Sequence, residues 1–131
     1  MIVDSSALVA LLLEENDADR FHASMLRAQS LAMSAASYVE TGVVIDARPN
    51  PALSNRLNPL LSLLRVEVVP VSRVQAKIAR QAYRDFGKAS GHPARFNFGD
   101  CFAYALAIDT DEPLLFKGDD FMHTDVRVAD R

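Results

Sequence analysis

The chain has 131 residues, half of them hydrophobic, which is enough for one domain with a substantial core and excludes wholesale disorder. Its 14 basic and 17 acidic side chains leave a formal charge of −3, which argues against a simple basic nucleic-acid-binding module unless clustered acids are neutralised by cations. The single cysteine, Cys101, excludes an intrachain disulfide and fits a reducing, cytoplasmic setting. In chain order, Ile2-Val3 predicts a short buried strand, and Ser5 and Ser6 are both N-cap candidates for a helix over 7–15. The longest apolar stretch, Ala7–Leu13, is far shorter than the roughly 18–20 residues that cross a bilayer, and no basic leader precedes it, so neither a membrane span nor a signal peptide is expected. A second helix is expected from about Ala18 to Ala28, with Phe21, Met25 and Ala28 on one face.

Residues 31–35 read as the second strand. Ser37-Tyr38-Val39-Glu40 opens a third helix that stops before Pro49, and Asn50-Pro51 restarts the chain. Pro59 either kinks a helix over 51–64 or follows a capping Asn58 into a fresh helix; a break is the expectation. Residues 66–71 are the clearest strand, after which Ser72 caps a helix with Val74, Ile78, Ala82 and Phe86 on one face. Gly87–Asn97 is the one long loop, its glycines and proline forbidding a regular element, and loops of that length are often functional. Phe98-Gly99-Asp100 leads into a helix through Ile108, with Phe102, Ala105 and Leu106 inward. Pro113–Phe116 reads as a buried strand, residues 117–121 as a turn, and residues 126–128 as an edge strand. Such alternation implies an α/β domain over 1–131 with a parallel sheet covered on both faces.

Acidic residues recur where strands end and helices begin. Asp4 ends the first strand, Glu40 lies in the first turn after the second, Asp100 begins the helix after the long loop, and Asp119-Asp120 follow the Leu114–Phe116 strand. In a parallel sheet these carboxyl ends share one edge, where ligands collect. Structural roles are available too. Ser37-x-x-Glu40 and Asn97-x-x-Asp100 have capping-box spacing, and Asp119-Asp120 suit a solvated turn. Asp4 is harder to dismiss, because a carboxylate at the end of a buried strand needs donors or a cation. Carboxylates about 4 Å apart repel by about 4 kcal/mol at an effective dielectric near 20, so a converging set demands protonation or a metal. Oxygen ligands without His or Cys select Mg²⁺ or Mn²⁺, whose natural chemistry is water attack on a phosphodiester.

Several segments match one family. Ile2-Val3-Asp4-Ser5-Ser6-Ala7-Leu8, Ala36-Ser37-Tyr38-Val39-Glu40, the run from Asn97 to Ala107 and the run from Leu114 to Phe121 resemble, in order, the four acid motifs of the PIN domain. The resemblance is specifically to the VapC toxin ribonucleases of bacterial toxin–antitoxin pairs. It implies a three-layer α/β/α sandwich with a mainly parallel four- to five-stranded sheet, and Mg²⁺-dependent endonuclease action on RNA leaving a 5′-phosphate and a 3′-hydroxyl. It also implies a homodimer and inhibition by a cognate antitoxin protein. Asp4 and Asp100 would be the principal metal ligands, with Glu40 in support. Asp119 is preferred as the fourth catalytic acid, Asp120 is held in reserve, and Asp125 is an outside candidate. Pro59 departs from the helix expected in relatives.

Lys88 and Arg95 on the long loop, with Arg84 a turn upstream, are candidates for RNA phosphates. His92 is expected to be exposed, Lys117 to balance the acid turn, and Cys101 to be core. A haloacid-dehalogenase-like phosphatase would need a second acid where Ser6 stands. A receiver-like signalling domain would need paired acids near the first strand and an acid after the 66–71 strand, where Pro70-Val71-Ser72 follows. A PIN-like scaffold that binds without cutting differs only in activity.

Overall fold

The computed structural model describes residues 1–130. Four parallel strands, β1 (Ile2–Val3), β2 (Leu31–Ser34), β3 (Val66–Val69) and β4 (Leu114–Leu115), form one sheet in the order β3-β2-β1-β4. β1 sits centrally, with Ile2 opposite both Ala32 and Leu114. Seven α-helices connect the strands among the described residues: α1 (Ser5–Leu12), α2 (Ala18–Arg27), α3 (Ala35–Asp46), α4 (Pro51–Ser54), α5 (Leu57–Leu63), α6 (Arg73–Phe86) and α7 (Phe98–Thr110).

Side chains alternate across a strand, so even the two-residue strands serve two cores. Val3 and Leu115 point into one with Leu8, Phe21, Met33 and Ile45, covered by helices α1 to α5. Ile2 and Leu114 point into the other with Phe96, Leu106 and Phe121, beside α6 and α7. The result is the expected α/β/α sandwich. Buried aromatics Phe96, Tyr104 and Phe121, with half-buried Phe86, meet at tilted or edge-to-face angles in the second core.

Several local expectations change. Asp4, rather than Ser5 or Ser6, is the N-cap of α1. Ser34 caps α3, which therefore begins at Ala35, two residues before the expected Ser37. The chain does break near Pro59, but the break falls at Asn55-Arg56 and Pro59 lies within the first turn of α5. Asn58 instead accepts a 2.8 Å hydrogen bond from the Tyr38 hydroxyl. The clear 66–71 strand is an outer strand with Glu67 and Val68 exposed. On α6 the expected face packs on the second core through Ala82, Ile78 and Phe86, with Ala79 and Gln75 buried beside them, but Val74 at its start faces solvent. The long loop is more ordered than its glycines suggested. It holds a 3-10 turn over Lys88–Ser90 and a bridge between Gly87 and Phe96, and it buries Ala94 and Phe96. The 126–128 edge strand reduces to one bridge from Val128 to Leu114. No helix among the described residues is long and apolar enough to cross a membrane.

Candidate active site

β1 and β4 are parallel neighbours, so both chains leave the sheet on the same edge. Asp4 follows β1 directly and caps α1. Its Oδ2 accepts the Ser6 amide at 3.0 Å and the Ser6 hydroxyl at 2.5 Å. The Ser6 oxygen in turn accepts the Lys117 amide at 3.0 Å, tying the segment after β4 to the first acid. The other carboxylate oxygen, Oδ1, is buried without a hydrogen-bond partner, and the residue is only 3% exposed. Burial pushes the Asp4 carboxyl up to about 6; the Ser6 bonds oppose this and the Glu40 charge adds to it.

Glu40 comes from α3. Because Ser34 caps that helix, Glu40 lies in its second turn and the expected Ser37 capping box does not form. Ser37 is wholly buried instead, its carbonyl accepting the Thr41 hydroxyl at 2.8 Å. The Glu40 Oε1 accepts a hydrogen bond from the Ser5 hydroxyl. Its Oε2 presses on the backbone of Gly99, where an added Cβ would lie 1.7 Å from that oxygen. Gly99 thus brings the start of α7 against Glu40.

Asp100 is the third residue of α7 and completes the capping box its spacing suggested. Its Oδ2 accepts the Asn97 amide at 2.8 Å, while the Asn97 Oδ1 accepts the Asp100 amide at 2.9 Å. Burial first, then the charges of Asp4, Asp120 and Glu40, push its carboxyl up to about 7, against the Asn97 bond. The field at Asp100 therefore joins Asp4, Glu40, Asp100 and Asp120. Asp119 and Asp120 are both exposed, and of the two it is the Asp120 charge that acts on Asp100.

Among the described residues, no three Asp, Glu, His or Cys side chains already close on one point as a finished metal cage. Mg²⁺ does not need one, since it usually keeps waters and takes substrate phosphate oxygens alongside one or two carboxylates. The orphaned Asp4 Oδ1 and carboxyls raised first by burial and then by one another's charge are features a divalent cation relieves, so the donor set fits such an ion.

The remaining candidates have other surroundings. Asp125 accepts the Tyr104 hydroxyl at 2.6 Å and anchors the last segment to α7. The Lys117 ammonium pairs with Glu15 and Asp17 rather than balancing the acid turn; its site contribution is the backbone amide on Ser6. His92 is half-buried rather than exposed, its Nδ1 accepting the Ala94 amide at 3.1 Å and its ring edging Phe86. Cys101 is buried as expected. Lys88 and Arg95 are exposed on the loop, and Arg84 lies on α6 beside Arg80 at the rim of a groove. Sequence reasoning missed Ser5 on Glu40 and the contact of Gly99 with Glu40. The signal for Gly99 was a glycine inside a helical first turn, where propensity disfavours it.

A parallel sheet between helical layers, with Asp4, Glu40 and Asp100 brought to one edge, is an arrangement suited to metal-assisted hydrolysis of a phosphodiester. The PIN domain family model matches residues 1–127, and the chain belongs to that family. It is 51% identical to Ribonuclease VapC28 of Mycobacterium tuberculosis, over 98% of this chain and 97% of that protein. It is 47% identical to Ribonuclease VapC42 of the same organism, over 98% of each. Among solved structures, the fold resembles a toxin–antitoxin complex from Klebsiella pneumoniae, with a TM-score of 0.74 at 16% identity over 98% of this chain and 95% of that one. It also resembles the M. tuberculosis toxin VapC20, described as cleaving the sarcin–ricin loop, with a TM-score of 0.73 at 19% identity over 95% of each.

Proposed function

We propose that this chain is the toxin of a toxin–antitoxin pair and a divalent-metal-dependent endoribonuclease. The observation that carries the reading is the buried Asp4, with one oxygen hydrogen-bonded and the other orphaned, in the field of Glu40 and Asp100. Full-length likeness to proteins named as VapC ribonucleases supports the same reading.

Asp4 and Asp100 would hold Mg²⁺, with Mn²⁺ as a substitute. When bound, the cation polarises the scissile phosphate and makes a water nucleophilic near neutral pH. Ser6 and Lys117 fix the Asp4 carboxylate, and the Asn97 amide fixes that of Asp100. Ser5 and Gly99 hold the Glu40 carboxylate, which would align the attacking water and take its proton. Asp120, through its influence on Asp100, is favoured over Asp119 as the fourth acid. Cleavage leaves a 5′-phosphate and a 3′-hydroxyl. The partner is a cognate antitoxin protein, and the active form is a homodimer.

The test is cleavage of total RNA by the purified chain with Mg²⁺, with EDTA, and by Asp4→Asn. Metal-dependent cleavage that Asp4→Asn abolishes is expected. Full activity in EDTA or in the variant ends the proposal.

A further inference from the structure

The segment after β4 meets the neighbourhood of α1 twice, and Lys117 makes both contacts. Its amide donates to the Ser6 hydroxyl oxygen at 3.0 Å, in the first turn of α1, and that hydroxyl donates to the Asp4 Oδ2 at 2.5 Å. Its ammonium donates to Glu15 and lies 3.3 Å from the Asp17 Oδ1, both in the turn between α1 and α2. Ser6 and the end of α1 at Leu12 are separated by about 9 Å, at about 1.5 Å rise per residue. The long, flexible lysine stem therefore bridges from the first turn of α1 to the turn beyond its end. Asp17 is the N-cap of α2, where an Asp side chain ordinarily accepts a helix amide, yet it makes no such bond. Its Oδ1 is turned to Lys117 instead.

None of the three side chains is buried, and ion pairs of that kind each stabilise a fold by no more than about 1 kcal/mol. Stability alone gives little account of the arrangement; its place in the chain gives more. Ser6 links Lys117 back to Asp4, and Gly118, at a φ of 96°, turns the chain on towards Asp120, the charge that acts on Asp100. We propose that Lys117 is a positioning residue for the acid site: Glu15 and Asp17 hold its ammonium, and the strap so formed along α1 fixes Ser6 on Asp4 and sets where the turn to Asp120 begins. The inference rests on the reading of Asp4 and Asp100 as cation ligands. It adds two carboxylates, Glu15 and Asp17, that act on the site from outside it. Charge and position predict opposite signs here. A Lys117 that acted only through its charge would repel an incoming metal ion, so Lys117→Met would tighten metal binding. A Lys117 that positions Asp4 makes the same substitution weaken it.

The test is Mn²⁺ binding to the full chain, followed by electron paramagnetic resonance with no RNA present. Lys117→Met should weaken binding by about 10-fold, the lower end of what loss of an outer-shell partner costs a metal site. Lys117→Arg, which keeps a cation between Glu15 and Asp17, should stay close to wild type. Glu15→Gln combined with Asp17→Asn should also weaken binding, and adding Lys117→Met to that pair should cost little more, because the strap is already cut. In cleavage of a short RNA with Mg²⁺, Lys117→Met should lower kcat and leave KM near wild type. Unchanged or tighter Mn²⁺ binding in Lys117→Met overturns the strap, as do fully additive losses in the triple variant. A lowered Tm with unchanged Mn²⁺ binding gives the ion pairs a structural role only and also overturns it. A wild-type chain that binds no Mn²⁺, or an Asp4→Asn variant that binds it equally well, refutes the cation site itself and the strap with it.

Discussion

Gly99→Ala separates the site from the fold. A Cβ built there would lie 1.7 Å from the Glu40 Oε2 and 2.5 Å from its carboxyl carbon. Carbon–oxygen contact needs more than 3 Å, so the carboxylate must retreat by roughly 1.5–2 Å. Alanine is otherwise the better helix residue, by up to about 1 kcal/mol, so stability should stay level or rise slightly. A misplacement of about 1 Å at a reacting centre can cost about 100-fold. Cleavage of a short RNA by Gly99→Ala should therefore fall by at least about 100-fold in kcat, with Tm within a few degrees of wild type. Shortening the displaced side chain makes room again, so Glu40→Asp added to Gly99→Ala should recover part of the loss, although Glu40→Asp alone is damaging. Wild-type kcat in Gly99→Ala, or a double variant worse than both singles, would refute a role for Glu40 placed by this contact.

Three further outcomes follow from the acids. Asp4→Asn should abolish cleavage yet raise the Tm of the metal-free protein at pH 8, because it removes a buried charge; the rise from 3.8 to about 6 corresponds to about 3 kcal/mol at most, and a lowered Tm would contradict it. Asp4 and Asp100 bind protons more tightly folded than unfolded, so their contribution to metal-free stability is largest at low pH and is lost as pH rises from about 4 through 7. Wild-type and Asp4→Asn melts from pH 4.5 to 8 isolate the Asp4 part, and Mg²⁺ should raise the wild-type Tm more at pH 8 than at pH 5, where protons compete for the same oxygens. Ser6→Ala removes both the donor to Asp4 and the acceptor of the Lys117 amide; it should cost about 1–3 kcal/mol in melting experiments and move the rise of activity to higher pH, with Ser6→Thr retaining both properties.

Most of the layout was legible because it depends on patterns that survive without coordinates. Ile2-Val3 before an acid, Ser72 before an amphipathic helix and Asn97-x-x-Asp100 each behave as their local chemistry requires. The errors arise where one local signal competes with another of equal strength. Ser34 and Ser37 both suit an N-cap, and the sheet decided between them by ending β2 at Ser34. At the start of α6, Gln75 is buried in place of Val74 and hydrogen-bonds Asp109 at 3.2 Å, a partner 34 residues away. Long-range contacts such as Ser5 with Glu40 and Ser6 with Lys117 leave no periodicity to read.

The capping and catalytic readings of these acids are not rivals. A carboxylate has two oxygens, and the fold uses one of each for itself. Asp4 gives Oδ2 to Ser6 and leaves Oδ1 orphaned. Asp100 gives Oδ2 to the Asn97 amide, and its Oδ1 takes no part in the capping box. Glu40 gives Oε1 to Ser5 and turns Oε2 to Gly99. The committed oxygens hold each group against helix amides or a hydroxyl, which offsets part of the cost of burying charge. With one oxygen of Asp4 and one of Asp100 held this way, neither carboxyl turns freely, and the Asp4 Oδ1 is left for another partner. Sequence spacing that looks like ordinary helix capping is therefore compatible with the cation-holding role proposed for Asp4 and Asp100.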